Sequence, residues 1–233
     1  MSSSEKKLAH VWWIVPVLAI AGLMVWGGLS QDDSSGESGD PSATSESDAG
    51  GSELARRSPD DPYALGDVDA PVVMIMYEDY RCPFCAKFAT EVQPKLVDEY
   101  VDAGKLRLEW RDMTIFGVES EKVAVAARAA AQQGKFWEFN HEAYSLGDGK
   151  TKTSFPEETI NQIAKDVGVS DMDQFAKDRE DPKLQEQLDA DFAEGSEIGV
   201  SSTPAFLINS TPVLGAQPLD TFTETIEAEL DQS

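Results

Sequence analysis

Residues 77–85 read Tyr-Glu-Asp-Tyr-Arg-Cys-Pro-Phe-Cys and contain the only two cysteines of the chain, Cys82 and Cys85. The apolar run at residues 72–77 predicts a buried strand, and the sequence after it changes to helical spacing. Cys82 is therefore expected at the exposed start of a helix, where free backbone N–H groups favour a thiolate. Pro83 suits the first helical position. One helical turn brings the second sulfur round to the first, so the pair is predicted to open and close a disulfide.

Two other interpretations of the cysteine pair stay open. A structural disulfide is one, although so short a loop restrains the unfolded chain little. A zinc half-site is the other, but zinc normally takes four ligands, and the chain offers two cysteines and two histidines. Of the histidines, His10 lies beside an apolar segment, and His141 is interpreted as a packed or surface residue. A redox role is favoured, with no metal and no cofactor beyond the disulfide itself.

The composition limits the classes of partner. The chain has 233 residues, and its 43 acidic against 19 basic side chains give a formal net charge of −24. Such a charge repels nucleic acid and anionic lipid surfaces, so nucleic acid is excluded as a partner. With 41% hydrophobic residues there is enough apolar material for a folded core.

The N-terminal part of the chain predicts a membrane attachment. Residues 11–29 carry no charge and are long enough to span a bilayer once. Lysines before this segment and acids after it place residues 1–10 in the cytoplasm and the rest outside. A cleaved signal peptide remains the alternative, because residues 28–30 resemble a cleavage site. Residues 30–60 are mostly Ser, Gly, Asp and Glu, which predicts a disordered acidic linker.

Residues 62–231 are predicted to form one α/β domain. The expected elements are a strand at 72–77, a helix from 82 to about 101 kinked at Pro94, an alternating strand at 105–111, a helical block at about 117–197, a hairpin at 205–214 and a final helix at 219–230. A strand, a helix and a strand within about 40 residues form a βαβ unit with a parallel pair. This order of elements is a thioredoxin-like fold with an inserted helical subdomain.

Three motifs carry a resemblance to a known family. They are Cys82-Pro83-Phe84-Cys85, the sequence Gln-Gly-Lys-Phe-Trp at 133–137, and Gly-Val-Ser-Ser-Thr-Pro-Ala-Phe at 199–206. Together they resemble the DsbA-like thiol:disulfide oxidoreductases of the thioredoxin superfamily, in a membrane-anchored bacterial form. The resemblance implies a redox-active Cys82–Cys85 pair. It also implies that Pro204 is cis, and that Thr203 and Pro204 face the Cys82 sulfur and bind an extended substrate.

The chain departs from the wider family at two positions. Relatives often bury an acid six residues before the first cysteine, where this chain has Met76; the nearby acids are Glu78 and Asp79. Asp79 is a candidate for assisting proton transfer from Cys85, and an ordinary solvated carboxylate is the alternative. Phe84 stands where the best-known relatives carry histidine, and its ring cannot donate a hydrogen bond or a positive charge to the thiolate.

The predicted function is an extracytoplasmic thiol:disulfide oxidoreductase of the cell membrane that introduces disulfides into exported, cysteine-containing proteins. The resemblance implies a membrane redox partner of DsbB or VKOR type that accepts its electrons. Two alternatives remain open. One is a disulfide reductase or isomerase, and the other is a redox-inactive peptide-binding module with a structural disulfide.

Overall fold

The computed structural model describes residues 53–233. The predictions for residues 1–10, for the membrane segment at 11–29 and for most of the linker at 30–60 lie outside the described residues. Between residues 53 and 233, no helix combines the length and the apolar character needed to cross a bilayer.

The centre of the domain is a mixed sheet of five strands in the order β1-β3-β2-β4-β5. The strands are β1 (Ala64–Leu65), β2 (Val72–Glu78), β3 (Leu106–Asp112), β4 (Ala205–Ile208) and β5 (Thr211–Leu214). β2 and β3 run parallel, as the βαβ pattern predicts, and β4 pairs antiparallel with β2. All seven residues of β2 are buried, because the strand is central in the sheet and helices cover both of its faces. The short β1, antiparallel to β3, is not predicted from the sequence.

The helix that begins after Cys82 is interrupted, as the proline in it predicts. It consists of α1 (Pro83–Glu91), α2 (Gln93–Leu96) and a π-helical turn at Val97–Val101. The break falls at Val92, two residues before Pro94. The later helices are α3 (Val118–Ala131), α4 (Phe136–Ser145), α5 (Glu157–Asp166), α6 (Met172–Asp178), α7 (Pro182–Glu197) and α8 (Leu219–Leu230). Five of them, α3 to α7, lie between β3 and β4.

Helices pack on both faces of the sheet. On one face Phe88 of α1 contacts Phe206 of β4 and Phe222 of α8, with ring centroids 4.4 and 5.1 Å apart. On the other face α7 crosses β2 at Gly195. A Cβ at that position would lie 3.0 Å from Tyr77 Cδ1, which is closer than ordinary van der Waals contact, so glycine allows this approach without displacing the ring. These aromatic contacts fix α1, whose start carries the cysteines, against the sheet.

The polar face of β3 is buried, although its alternating sequence is typical of a strand with one side in water. Arg107 and Arg111 each donate to the Glu109 carboxylate at 3.1 Å. Arg111 also donates to Glu194 of α7 at 2.8 Å. The charged side chains are thus paired with one another under α7, which satisfies groups that are costly to bury alone.

The prediction of disorder is wrong for residues 53–60. The backbone N–H groups of Arg56 and Arg57 each donate to one oxygen of the Glu109 carboxylate at 2.9 Å. The Arg56 guanidinium also donates to Asp191 of α7 at 2.6 Å. Buried carboxylates on the sheet and on α7 thus fix this segment, and the ordered domain begins before residue 62.

Candidate active site

The end of β2 and the start of α1 place the two cysteines. Cys82 caps the N-terminus of α1, and Pro83 takes the first helical position as predicted. The backbone N–H of Cys82 donates to the Asp79 carbonyl at 2.9 Å, which closes the turn between strand and helix. Both cysteines are free thiols in this structure. The expected exposure of Cys82 is wrong, because only 2% of it is accessible, whereas Phe84 between the cysteines is 58% exposed.

The segment before β4 covers the Cys82 sulfur. The Thr203–Pro204 peptide bond is cis, which confirms the prediction from the resemblance. The Cys82 thiol donates to the Thr203 carbonyl oxygen at 3.3 Å, across 121 residues of sequence. This contact explains the low exposure of Cys82. The exposed side chain beside the two sulfurs is Phe84, because Thr203 and Pro204 are themselves buried.

The electrostatics of the two sulfurs differ. The pKa of Cys82 is lowered to about 6, chiefly because the Cys85 thiol donates a hydrogen bond to the thiolate. Burial opposes the shift, while the backbone N–H groups of Cys85 and Phe84 support it. The pKa of Cys85 is raised well above its ordinary value, by burial and by its hydrogen bond to Cys82. Cys82 is thus suited to be the nucleophile and Cys85 to remain a thiol until it resolves an intermediate.

Asp79 is buried, so the alternative of a solvated carboxylate is wrong. One of its carboxylate oxygens accepts from the Arg81 backbone N–H at 2.8 Å and from the Ser120 hydroxyl at 2.7 Å. The other accepts from the Phe116 backbone N–H at 3.1 Å. Burial raises its pKa, and these hydrogen bonds oppose the rise. Because both oxygens are engaged, Asp79 is a positioning residue that ties the turn before Cys82 to the start of α3.

A family model described as thioredoxin matches residues 58–228. The chain belongs to the thioredoxin family. Among its relatives is the probable disulfide bond formation protein D of Bacillus cereus, 29% identical over 170 residues, which are 72% of this chain and 78% of that one.

Solved structures of thioredoxin-like proteins resemble the described domain. BdbD from Bacillus subtilis, in its oxidised form, superposes with a TM-score of 0.67 at 22% identity, over 72% of this chain and 92% of that one. A thioredoxin-like oxidoreductase from Silicibacter pomeroyi gives 0.64 at 27% identity, over 75% and 94% of the two chains. Within the thioredoxin superfamily the chain is a DsbA-like thiol:disulfide oxidoreductase.

The thioredoxin-family site contains one acid to which the sequence analysis gave no role. Glu78 ends β2, is 0% exposed, and has no hydrogen-bond partner for either carboxylate oxygen among residues 53–233. Burial raises its pKa to about 8; Tyr144 opposes this rise and the Cys82 charge adds to it. The strand period would have found it, because Met76 and Glu78 lie two residues apart and share a face of β2.

His141 is an exposed residue of α4, which confirms its interpretation as a packed or surface residue. Among residues 53–233, no group of three or more His, Cys, Asp or Glu side chains is arranged to hold a metal ion.

Proposed function

We propose that this protein is an extracytoplasmic disulfide oxidase that donates the Cys82–Cys85 disulfide to exported proteins. A client thiolate attacks the Cys82 sulfur, the Cys82–Cys85 bond breaks, and Cys85 leaves and takes up a proton. A second client thiolate then attacks the client sulfur of the mixed disulfide and releases Cys82 as a thiolate. The client gains a disulfide and loses two electrons, which the cysteine pair keeps.

The observation that carries this proposal is the lowered pKa of Cys82, about 6 against an ordinary 9.0. A thiolate of low pKa is a better leaving group, and its stability favours the reduced form of the pair. At pH 7 the shift stabilises the reduced form by at most about 1.4 kcal/mol, which makes the couple about 30 mV more oxidising.

Net oxidation also needs an electron acceptor and a compartment without the cytosolic reductants. The proposed anchor at residues 11–29 and the linker after it would hold the domain near a membrane partner of DsbB or VKOR type. The Bacillus cereus relative is named a probable disulfide bond formation protein, which supports the oxidising direction. The charge asymmetry around the apolar segment supports the extracytoplasmic location.

The redox equilibrium of the purified protein with glutathione buffers at pH 7 tests the direction. We expect a potential clearly above the −270 mV typical of thioredoxin. Phe84→His is a matched variant, because the side chain is exposed and a histidine would add a donor and partial charge beside the thiolate. It should raise the potential further without changing the fold.

A potential at or below about −270 mV would instead assign the protein to disulfide reduction. Failure of the wild-type pair to exchange with glutathione at all would leave only the peptide-binding module with a structural disulfide. The fraction of oxidised protein is read after acid quenching and alkylation, by mass spectrometry.

A further inference from the structure

Three exposed lysines stand beside the cysteine site of a strongly acidic chain. They are Lys87 of α1 and Lys150 and Lys152 of the loop between α4 and α5, and together they are called the basic rim below. The whole chain carries a formal net charge of −24. A cluster of positive charge at the site gives the site a local potential opposite in sign to that of the whole protein.

Lys87 is a neighbour of the exposed aromatic side chain at the site. It lies three residues after Phe84 in α1, and residues at this spacing are adjacent on a helix surface. Phe84 is 58% exposed, and Lys87 is exposed as well. A client segment that crosses Phe84 to reach Cys82 therefore passes the Lys87 ammonium group.

The loop that carries the other two lysines is packed against the same helix. A Cβ at Gly147 would lie only 2.6 Å from the Ala86 Cβ, so the loop backbone approaches α1 closely there. A Cβ at Gly149 would lie 3.9 Å from the Lys87 Cβ. The loop therefore borders α1 within its first turns, beside Lys87.

Arg81, the residue before Cys82, holds the later part of this loop. Its Nε donates to the Thr153 carbonyl at 3.0 Å, and its Nη1 donates to the Phe116 carbonyl at 3.2 Å. The Lys152 ammonium lies over the Phe116 ring, 4.1 Å from its centroid. These contacts fix the loop beside the turn that leads into Cys82.

The acids near the basic rim are engaged by other groups. The Glu119 carboxylate pairs with Arg81 at 2.9 Å. The Asp148 carboxylate accepts from two backbone N–H groups of its own loop, at 2.7 and 2.8 Å. No lysine of the basic rim forms an ion pair with an acid among residues 53–233. All three ammonium groups are thus open to an anionic partner.

We propose that the basic rim is a docking surface for client segments in which acidic residues flank the reacting cysteines. Charge complementarity selects this partner, because three unpaired ammonium groups lie beside the sulfur that the client attacks. Attraction of this kind acts on the encounter and raises the rate of association. The chemistry of exchange at Cys82 is unchanged, and the proposal rests on that exchange.

The rates at which the protein oxidises three synthetic peptides test the proposal. Each peptide contains two cysteines, flanked by Asp and Glu, by Asn and Gln, or by Lys and Arg. Oxidised full-length protein in a neutral detergent is mixed with excess peptide, and the loss of its disulfide is followed by acid quenching, alkylation and mass spectrometry. Each rate is divided by the rate of the same peptide with 2,2′-dithiodipyridine, because flanking acids raise the pKa of a thiol.

The salt concentration decides which charges the peptides sense. At about 0.1 M salt the screening length is about 10 Å, so the charges beside the site dominate. The wild type should react about fivefold faster with the acidic peptide than with the neutral one, the effect of a few exposed ion pairs. The net charge of −24 alone favours the basic peptide. At about 1 M salt the three rates should converge.

The triple variant Lys87→Gln, Lys150→Gln, Lys152→Gln should lose the preference. Its ratio of acidic to neutral rates should fall from about five to one or below, because the rim charges are gone while the acidic surface remains. All three side chains are exposed, so the substitutions leave the core untouched.

The matched control is Lys165→Gln, Lys177→Gln, Lys183→Gln. These lysines are exposed on α5, α6 and α7, outside the basic rim, and their removal changes the net charge by the same amount. The control should keep the fivefold ratio. An equal loss of preference in both triple variants would contradict the proposal, because total charge rather than the rim would then govern the rate.

Equal rates for the acidic and neutral peptides, or a faster reaction with the basic one, would overturn the docking surface and leave exchange intact. Failure to oxidise any of the peptides would instead overturn the proposed oxidation. Residues 31–52 contain six acids and no base. If a wild-type ratio near one rises to about five when these acids are replaced by their amides, the chain's own acidic segment occupies the rim, and the client site is rejected.

Discussion

Cys85→Ala should convert the protein into a trap that holds its substrates through Cys82. The nucleophile remains, so mixed disulfides with clients or with glutathione still form, but no internal thiol resolves them. An internal thiol acts at an effective concentration far above that of millimolar external thiol, so we expect adducts to persist at least about a thousandfold longer. Non-reducing gels and mass spectrometry of the isolated adducts measure this.

The same variant should raise the pKa of Cys82 above about 6, because the main cause of the low value is the hydrogen bond from the Cys85 thiol. Cys85→Ser is the matched control, since its hydroxyl still donates but does not attack a disulfide. It should trap adducts equally well and keep more of the pKa shift. Rapid turnover of adducts in both variants would show that Cys85 is not the resolving thiol.

Arg128→Met should cost about 3–5 kcal/mol of unfolding free energy, the typical result of removing one partner from a buried charge cluster. Arg128 is 1% exposed, donates to Asp112 at 2.7 Å and forms a second ion pair with Asp191. Without the arginine, two buried carboxylates face each other between β3 and α7. Urea unfolding at pH 7 measures the loss.

The unfolding free energy lost in Arg128→Met should also increase with pH. Burial raises the pKa of Asp112 and Arg128 opposes the rise, so its removal raises that pKa further. A carboxyl with a raised pKa holds a proton in the folded state that the unfolded chain releases, so stability falls as pH rises. Arg128→Met should therefore lose more unfolding free energy at pH 8 than at pH 5.

Lys135→Met is the control, because it removes a half-exposed ion pair with Glu138. It should change the unfolding free energy by less than about 1 kcal/mol. Equal losses in Arg128→Met and Lys135→Met would show that the buried cluster has no special role in stability.

The parts of the site that are encoded locally could be predicted from the sequence. The apolar strand, the proline after Cys82 and the helical spacing suffice to place the sulfurs at a strand-to-helix junction. The Thr203-Pro204 pair is far from the cysteines along the chain, and only its motif before a hairpin, through the resemblance, placed it against Cys82.

The parts that depend on distant partners could not be predicted. Two of the three hydrogen-bond partners of Asp79 lie 37 and 41 residues away, so the local sequence does not show that this acid is buried rather than solvated. The alternation in β3 resembles that of a half-exposed strand, because the groups that bury its charged side chains are distant in sequence: Glu194 of α7 pairs with Arg111, and the backbone N–H groups of residues 56 and 57 donate to Glu109. Glu78 ends an apolar run, and an acid at such a position is also compatible with an exposed turn. It is buried only because α1 and α4 pack against this end of β2.

Cys82 is the nucleophile because its thiolate is stabilised and that of Cys85 is not. The pH dependence of alkylation by iodoacetamide, read separately for each cysteine by peptide mass spectrometry of the reduced protein, tests it most directly. Cys82 should react with a half-maximal rate at about pH 6 while Cys85 stays unmodified. Equal rates for the two cysteines, or a midpoint for Cys82 near the ordinary 9.0, would contradict it.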